Sequence, residues 1–333
     1  MDRLERIRGC LLGGAAGDAL GYQVEFTLLD AMIKQHGKHG VRTMAPYISD
    51  DTQMTLFTAE GLLMGQKHDM PVPACIYQSY LDWYKTQWPR ATGGVFAGES
   101  ELLKEERLYR QEAPGVTCMS ALGGGDMGDL ETPINRSKGC GGVMRTAPCG
   151  MLKIMDTPDP EDAYAMQGAL AAAITHGHVL GYVPAAMLAD MVHMILLEDG
   201  RSLEEIIPAS LERMQRLFPY PATCELADLI RRAMELAEED IADTQAICQL
   251  GRGWVGEEAL AIAVFCALRY QDNLAECLIA AVTHDGDSDS TGAIAGNILG
   301  AWLGASAIPA EWLETIEARD IVERMAVRIH EAM

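Results

Sequence analysis

The sequence predicts an all-α protein, a single compact multi-helix domain over residues 1–333, and three observations carry that reading. Apolar residues recur three and four apart nearly everywhere, as in Leu226, Leu229, Ile230, Ala233, Met234, Leu236, Ala237 and Ile241. Runs of alternating β-branched residues, the mark of half-buried strands, are missing. Gly9, Gly13, Gly17 and Gly21 form one series of period four, and Gly292, Gly296, Gly300 and Gly304 form another. On a helix that spacing keeps glycine near one face, where a second backbone can approach closely, although each interior glycine costs up to about 1 kcal/mol of helix propensity. Tight packing in an all-α core would offset the cost. A sharper expectation is that the two glycine helices lie together at the centre, so that chemistry at their ends converges.

In chain order, helix 3–20 holds the first glycine series, and helix 51–64 starts beside Ser49, a good N-cap, with acids in the first turn that suit the helix dipole. Helices follow over 72–85 and 97–106, while 86–96 and 107–150 are rich in Gly, Pro and Thr without helical period and read as long ordered loops of a functional kind. An alanine-rich helix over 160–175 ends at His176 and His178, and 183–197, 202–217 and 223–242 come next. Helix 256–270 contains the longest apolar run, Ala259 to Leu268, about half of what a bilayer span needs. Helices 273–282, 289–305 and 309–332, the last with a break, close the chain; no low-complexity linker divides it.

Composition narrows the function. With 26 basic and 48 acidic residues the formal charge is −22, which repels phosphate backbones and anionic headgroups, and no basic patch offsets it. Nucleic-acid and membrane-surface binding are therefore disfavoured. Hydrophobic residues make up 49% against 22% charged, far too apolar for disorder. The nine cysteines are odd in number and scattered, with no C-x-x-C pair, and the first residues are charged where a signal peptide would be apolar, so a reducing, cytoplasmic setting is expected.

Four clusters carry chemistry. Glu25 is an isolated carboxylate just beyond the first glycine helix, a position a capping acid would also fit. Ser49-Asp50-Asp51-Thr52 opens a helix; consecutive acids there aim two carboxylates about 100° apart around the helix end, where a cation could be held by both, but a plain helix start explains them too. His284-Asp285-Gly286-Asp287-Ser288-Asp289-Ser290-Thr291 precedes the second glycine helix and offers hard oxygen ligands of the kind Mg²⁺, Mn²⁺ or Ca²⁺ prefer. It is no EF-hand, since from Asp285 the sixth position is Ser290 and the twelfth Gly296. The fourth cluster, Gly139-Cys-Gly-Gly-Val-Met-Arg145, is neither a P-loop nor a dinucleotide fingerprint, yet its glycines could present backbone N–H groups to a phosphate. His176 and His178 lack the spacing and thiolate partners of a zinc site and equally fit a helix C-cap.

Taken together, GCLLGGAAGDALGYQVEF at 9–26, SDDTQM at 49–54, GCGGVMRTAP at 139–148, ITH at 174–176, GRGWVGEEALAIA at 251–263 and HDGDSDSTGAIAGNILGA at 284–301 resemble the ADP-ribosylglycohydrolase family, which includes the dinitrogenase reductase-activating glycohydrolases. The resemblance spans nearly the whole chain. It implies an all-α fold with a central cleft holding two divalent cations, Mg²⁺ or Mn²⁺, and hydrolysis of the glycosidic bond between ADP-ribose and an acceptor. Carried over by position, it implies Ser49, Asp50, Asp51, Asp287, Asp289 and Ser290 as metal ligands, and Glu25 and Asp51 as catalytic. It also implies Gly141, Gly142, Val143 and Met144 as the loop receiving the diphosphate and adenosine side, with His176 contacting substrate. Ser290 stands where many relatives have Thr, and the stretch from Thr86 to Leu122 departs from the family's substrate loop, which leaves the acceptor side open. The partner expected is an ADP-ribosylated protein, modified on arginine, or an ADP-ribose-containing small molecule. Serine, nucleic-acid base and O-acyl linkages are the competing substrates, and a non-catalytic ADP-ribose-binding or structural relative is the competing class.

Overall fold

A computed structural model of the chain describes residues 1–88, 100–197 and 200–333. Among them are fifteen α-helices and no strand: α1 (Arg3–Tyr22), α2 (Leu29–His36), α3 (Asp50–His68), α4 (Val72–Thr86), α5 (Val116–Gly124), α6 (Ala163–Ala173), α7 (Val179–Leu197), α8 (Leu203–Leu217), α9 (Pro221–Glu238), α10 (Asp243–Leu250), α11 (Gly256–Arg269), α12 (Leu274–Val282), α13 (Ser288–Leu303), α14 (Ala310–Thr315) and α15 (Arg319–Ala332). The expected all-α class is what the molecule has.

The two glycine series meet. A Cβ added at Gly9 would lie 2.1 Å from the Gly300 carbonyl oxygen, at Gly13 2.5 Å from that of Gly296, at Gly17 2.0 Å from that of Gly292, and at Gly21 2.2 Å from that of Ser288. Numbers rise along α1 as they fall along α13, so the helices run antiparallel with backbones in direct contact. Across the seam, Asn297 Nδ2 donates to the Cys10 carbonyl at 2.9 Å. No side chain larger than hydrogen fits at these positions, which is the packing that offsets the glycines' cost in helix propensity. The seam sets the C-terminal end of α1 against the N-terminal end of α13.

Around this pair the helices bury a contiguous apolar core. α7 is long and apolar enough to cross a bilayer by length and composition, but 89% of its apolar window is buried inside the protein, which makes it a core helix. Several boundaries depart from the sequence reading. The stretch 107–150, expected as loop, contains α5 and 3₁₀ turns at Cys140–Gly142 and Ala147–Gly150. The helix expected over 97–106 is two 3₁₀ turns, Glu101–Lys104 and Glu106–Leu108; its first residues, 97–99, and most of the loop expected over 86–96 lie outside the described residues. α7 begins at Val179 rather than 183 and carries Pro184 as its sixth residue, past the first turn, where the missing N–H removes one helical hydrogen bond. α2 and α10, eight residues each, offer too few turns for a helical period to stand out.

Candidate active site

Three helix ends build the floor of one cleft. α1 ends in a turn in which the Val24 and Glu25 amides both donate to the Gly21 carbonyl, placing Glu25 beside the start of α13. α3 starts at Ser49, whose hydroxyl accepts from the Asp51 amide and donates to Asp51 Oδ2, both at 3.2 Å. α13 starts at Asp287, whose Oδ1 accepts from the Ser290 amide at 3.3 Å, while Asp289 sits in the first helical turn. Glu25, Asp287 and Asp289 each direct a carboxylate oxygen to one point, all within 4.8 Å of one another. Ser49 is within hydrogen-bond reach of Asp289, which ties the starts of α3 and α13 together. Apart from half-buried Glu25, this set is buried: Ser49, Asp50, Asp51, Asp287, Asp289 and Ser290 are each at most 4% exposed.

Concentrating this many carboxylates away from water has a cost that shows in their proton affinities. Burial, followed by the charges of Asp289, Asp287, Asp50 and Asp18, pushes Glu25 up to about 10. Burial pushes Asp50, Asp51 and Asp287 well above the usual carboxylate range; for Asp51 the neighbouring Asp289, Asp18, Asp50 and Asp287 add to it. The positive ends of α3 and α13 offset part of this. Two oxygens, Asp51 Oδ1 and Glu25 Oε2, are buried without a hydrogen-bond partner. Clustered hard oxygen donors, an excess of negative charge and two orphaned carboxylate oxygens together fit a divalent cation. Glu25 stands within reach of the same point as Asp287 and Asp289, so the structure puts it among the ligand candidates rather than only beside them.

The opposite wall comes from segments without helical period. The cleft encloses about 330 Å³ and is bounded by Ala113 to Cys118, Gly139 to Gly141, Met144, His176 and Trp254. The stretch that departs from the family's loop is therefore a wall of the site, anchored by the Gly115 amide donating to Asp50 Oδ2 at 2.9 Å and the Asp50 amide donating to the Glu112 carbonyl at 3.0 Å. His176, 1% exposed, belongs to this wall, and burial together with the nearby Arg145 charge holds it neutral, near 3. Gly141 and Met144 face the cleft. Gly142 and Val143 do not: a Cβ at Gly142 would lie 2.3 Å from the Gly181 carbonyl oxygen, and Val143 is fully buried. Nor are their amides available to a phosphate, since the 3₁₀ turn directs the Gly142 N–H to Gly139 and those of Val143 and Met144 to Cys140.

Some site residues escaped the sequence reading. Asp18, inside α1, accepts from the Ser49 and Thr52 amides and the Thr52 hydroxyl, and so fixes the start of α3 from behind. A fully buried acid one residue after a packing glycine is the signal that could have found it. The Cys140 thiol donates to Asp287 Oδ2 at 2.7 Å. At the mouth, Phe26 stacks on Trp254 with ring centroids 5.3 Å apart and planes 20° apart. Phe26 adopts φ +64 and Ala113 φ +51, a left-handed conformation unfavourable for residues with a Cβ, and both flank the cleft.

The chain's similarities agree with this architecture. It is 26% identical to mouse ADP-ribosylhydrolase ARH3, over 98% of this chain and 91% of that protein. It is 28% identical to the ADP-ribosyl-[dinitrogen reductase] glycohydrolase of Rhodospirillum rubrum, over 96% of this chain and 92% of that protein. A solved structure described as an ADP-ribosylglycohydrolase-related protein complex superposes with a TM-score of 0.68 at 26% identity, covering 99% of each chain. The sequence profile of the ADP-ribosylglycohydrolases matches residues 1–333, and the protein is a member of that hydrolase family.

Proposed function

We propose that this hydrolase removes ADP-ribose from arginine side chains of proteins, with two divalent cations, Mg²⁺ or Mn²⁺, held by Ser49, Asp50, Asp51, Asp287, Asp289 and Ser290. The observation that carries the reading is the convergence of Glu25, Asp287 and Asp289 on one point at the junction of α1 and α13. When bound, the cations would supply anchorage for ribose hydroxyls and a polarised water. The protein's own groups do the rest. As the glycosidic bond breaks, positive charge develops on the ribose ring, and the buried carboxylates, Asp51 with its unpartnered Oδ1 among them, stabilise it electrostatically. Glu25, whose Oε2 is likewise unpartnered, is the group that moves the proton between water and the leaving nitrogen. Gly141, Met144 and His176 line the wall that receives the diphosphate and adenosine side.

Support for arginine comes from the mouth. Phe26 and Trp254, 73% and 38% exposed, stack beside Glu25 above an acidic floor, and a guanidinium is attracted both to aromatic faces and to negative potential. The Rhodospirillum relative's name specifies a protein acceptor. The nine unpaired cysteines suit a cytoplasmic setting. The test incubates the protein and Mg²⁺ with ADP-ribose linked to arginine, to serine, to a DNA base or to an acyl group. Release of ADP-ribose from arginine is expected. Release from another linkage alone would overturn the arginine assignment, and release from none would overturn hydrolysis.

A further inference from the structure

Behind the wall that carries His176 lies a buried cation that forms no ion pair among the described residues. Arg145 is fully buried, its guanidinium 4.3 Å from the Tyr80 ring centre. It donates through Nη1 to Cys118 Sγ at 3.1 Å, and through Nη2 to the Ala171 carbonyl at 3.3 Å and to Thr175 Oγ1 at 2.6 Å. Thr175 Oγ1 in turn lies 2.8 Å from His176 Nδ1. The other ring nitrogen, Nε2, has no hydrogen-bond partner among the described residues. It faces the glycines of the 139–141 turn, where a Cβ would stand 3.4 Å from Nε2 at Gly139 and 3.3 Å at Gly141. Hydrogen in place of a side chain keeps that nitrogen open to the cleft.

We propose that Arg145 and Thr175 are positioning residues that hold His176 as the Nε2–H tautomer, a fixed donor for a diphosphate oxygen of the ligand. The direction of the chain follows from which groups can donate. A guanidinium has only donors, so Thr175 Oγ1 must accept from Arg145. The hydroxyl keeps one proton of its own; Cys118 Sγ is also within its reach but is a weak acceptor already taking Arg145, so the imidazole nitrogen at 2.8 Å is the stronger acceptor and takes it. Nδ1 then carries a lone pair and the ring's single proton sits on Nε2. Burial, and after it the neighbouring guanidinium, also disfavours a second proton on the ring, so the donor does not become an imidazolium at neutral pH. A rigid neutral donor is worth more to a ligand than a ring free to present either nitrogen, because no reorganisation follows binding. The diphosphate as the recipient rests on the reading of the cleft as an ADP-ribose site; the tautomer does not.

The experiment uses the full chain with ¹⁵N-labelled histidine and Mg²⁺. Long-range ¹H–¹⁵N correlation, assigned with a His176→Gln control, reads which ring nitrogen is protonated, and calorimetry reads ADP-ribose affinity. The wild type is expected to carry its proton on Nε2 before ligand is added. Thr175→Val keeps the shape and removes the hydroxyl; it should show a mixture of tautomers and bind ADP-ribose about tenfold more weakly. Thr175→Ser, with the hydroxyl restored, should recover both, and it keeps the test informative if the valine variant folds poorly. A wild-type proton on Nδ1, or a valine variant with the wild-type tautomer and affinity, would overturn the relay. Wild-type protein with the Nε2–H tautomer and no ADP-ribose binding would support the relay and sink the assignment of the cleft.

Discussion

The floor and the wall of the cleft are built in opposite ways. The floor is three helix ends: the α1–α13 seam, where backbone touches backbone and no side chain can adjust, sets two of them, and Asp18 fixes the third, the start of α3, against α1. The wall is made of turns and the short helix α5, with two non-glycine residues in left-handed conformation at its edges and Val116 83% exposed beside the cleft. Groups that must meet within ångströms sit on the rigid part. The groups proposed to recognise the rest of a ligand sit mostly on turns outside the long helices. Under the proposed function, hydrolysis rests on the floor and acceptor choice on the wall, two different physical parts of the molecule, and variation in the wall is compatible with a fixed floor.

The largest expected effects test the floor's chemistry. Glu25→Gln keeps size and hydrogen bonding but removes titration, so turnover should fall by about 10²–10⁴ with little change in ADP-ribose affinity. Asp289→Asn should weaken metal binding and turnover together. Measuring kcat and the Kd for ADP-ribose in both variants separates proton transfer from ligation, and a Glu25→Gln enzyme with normal kcat would remove Glu25 from the chemistry. Next in size is the seam itself. Gly17→Ala puts a methyl 2.0 Å from a backbone oxygen that cannot rotate away, and should cost about 3 kcal/mol or more in denaturant unfolding. Gly124, with nothing within 4 Å of an added Cβ, serves as the control: Gly124→Ala should change stability by no more than about 1 kcal/mol. Equal losses in the two variants would mean that the seam is not the rigid element.

The same division explains what could be read from the sequence. The period-four glycines, the Ser49-Asp50-Asp51 start and the 287–290 cluster were legible because helix periodicity and helix termini are local rules. So was the meeting of the two glycine helices, since glycine at that cost needs a backbone partner. The wall was not legible. α5 has nine residues among glycines and a proline, and whether Gly141 or Gly142 faces a ligand depends on a single 3₁₀ turn. Asp18 and Arg145 were missed for a related reason. A buried charge in an apolar run shows its role only when its partners arrive from distant segments, Ser49 and Thr52 for one and Thr175 for the other.

A cation should stabilise the floor and leave the wall nearly unchanged. Ions that bind only the folded chain add RT ln(1 + [L]/Kd), about 2.7 kcal/mol at a hundredfold excess over Kd. The Tm should therefore rise on adding Mg²⁺ or Mn²⁺ and fall again with chelator. Hydrogen exchange should slow at the starts of α3 and α13 and stay the same at Val116–Gly124. An unchanged Tm at saturating metal would contradict the metal site, and protection spread evenly over both regions would contradict the division.

The smallest expected effect is the pH dependence of the metal-free protein, and it reads the floor alone. An acid whose folded proton affinity is raised holds its proton in the native state when the unfolded chain has lost it. Its contribution is therefore complete below the unfolded value and is lost as pH rises through the folded one. Burial and the Asp289 charge raise Asp18 from 3.8 to about 7, and Glu25 rises from 4.5 to about 10. The buried histidines run the other way: His176 falls to about 3 and His193 and His284 to about 4, so what they lose on acidification returns as pH rises and is complete above their ordinary 6.5. Buried thiols such as Cys10 and Cys277 enter only as pH nears the ordinary thiol value of 9.0. Between about pH 6.5 and 8.5 the slope of stability belongs to the floor carboxylates and is negative. In chelator the Tm should fall across that window, and Glu25→Gln, which replaces the group still protonated at its upper end, should make the fall shallower. Saturating Mg²⁺ should abolish it, because a bound cation holds the carboxylates ionised on both sides of the window. A Tm that is flat from pH 6.5 to 8.5 without metal would mean that the floor carboxylates share their charge with water far more than their burial implies.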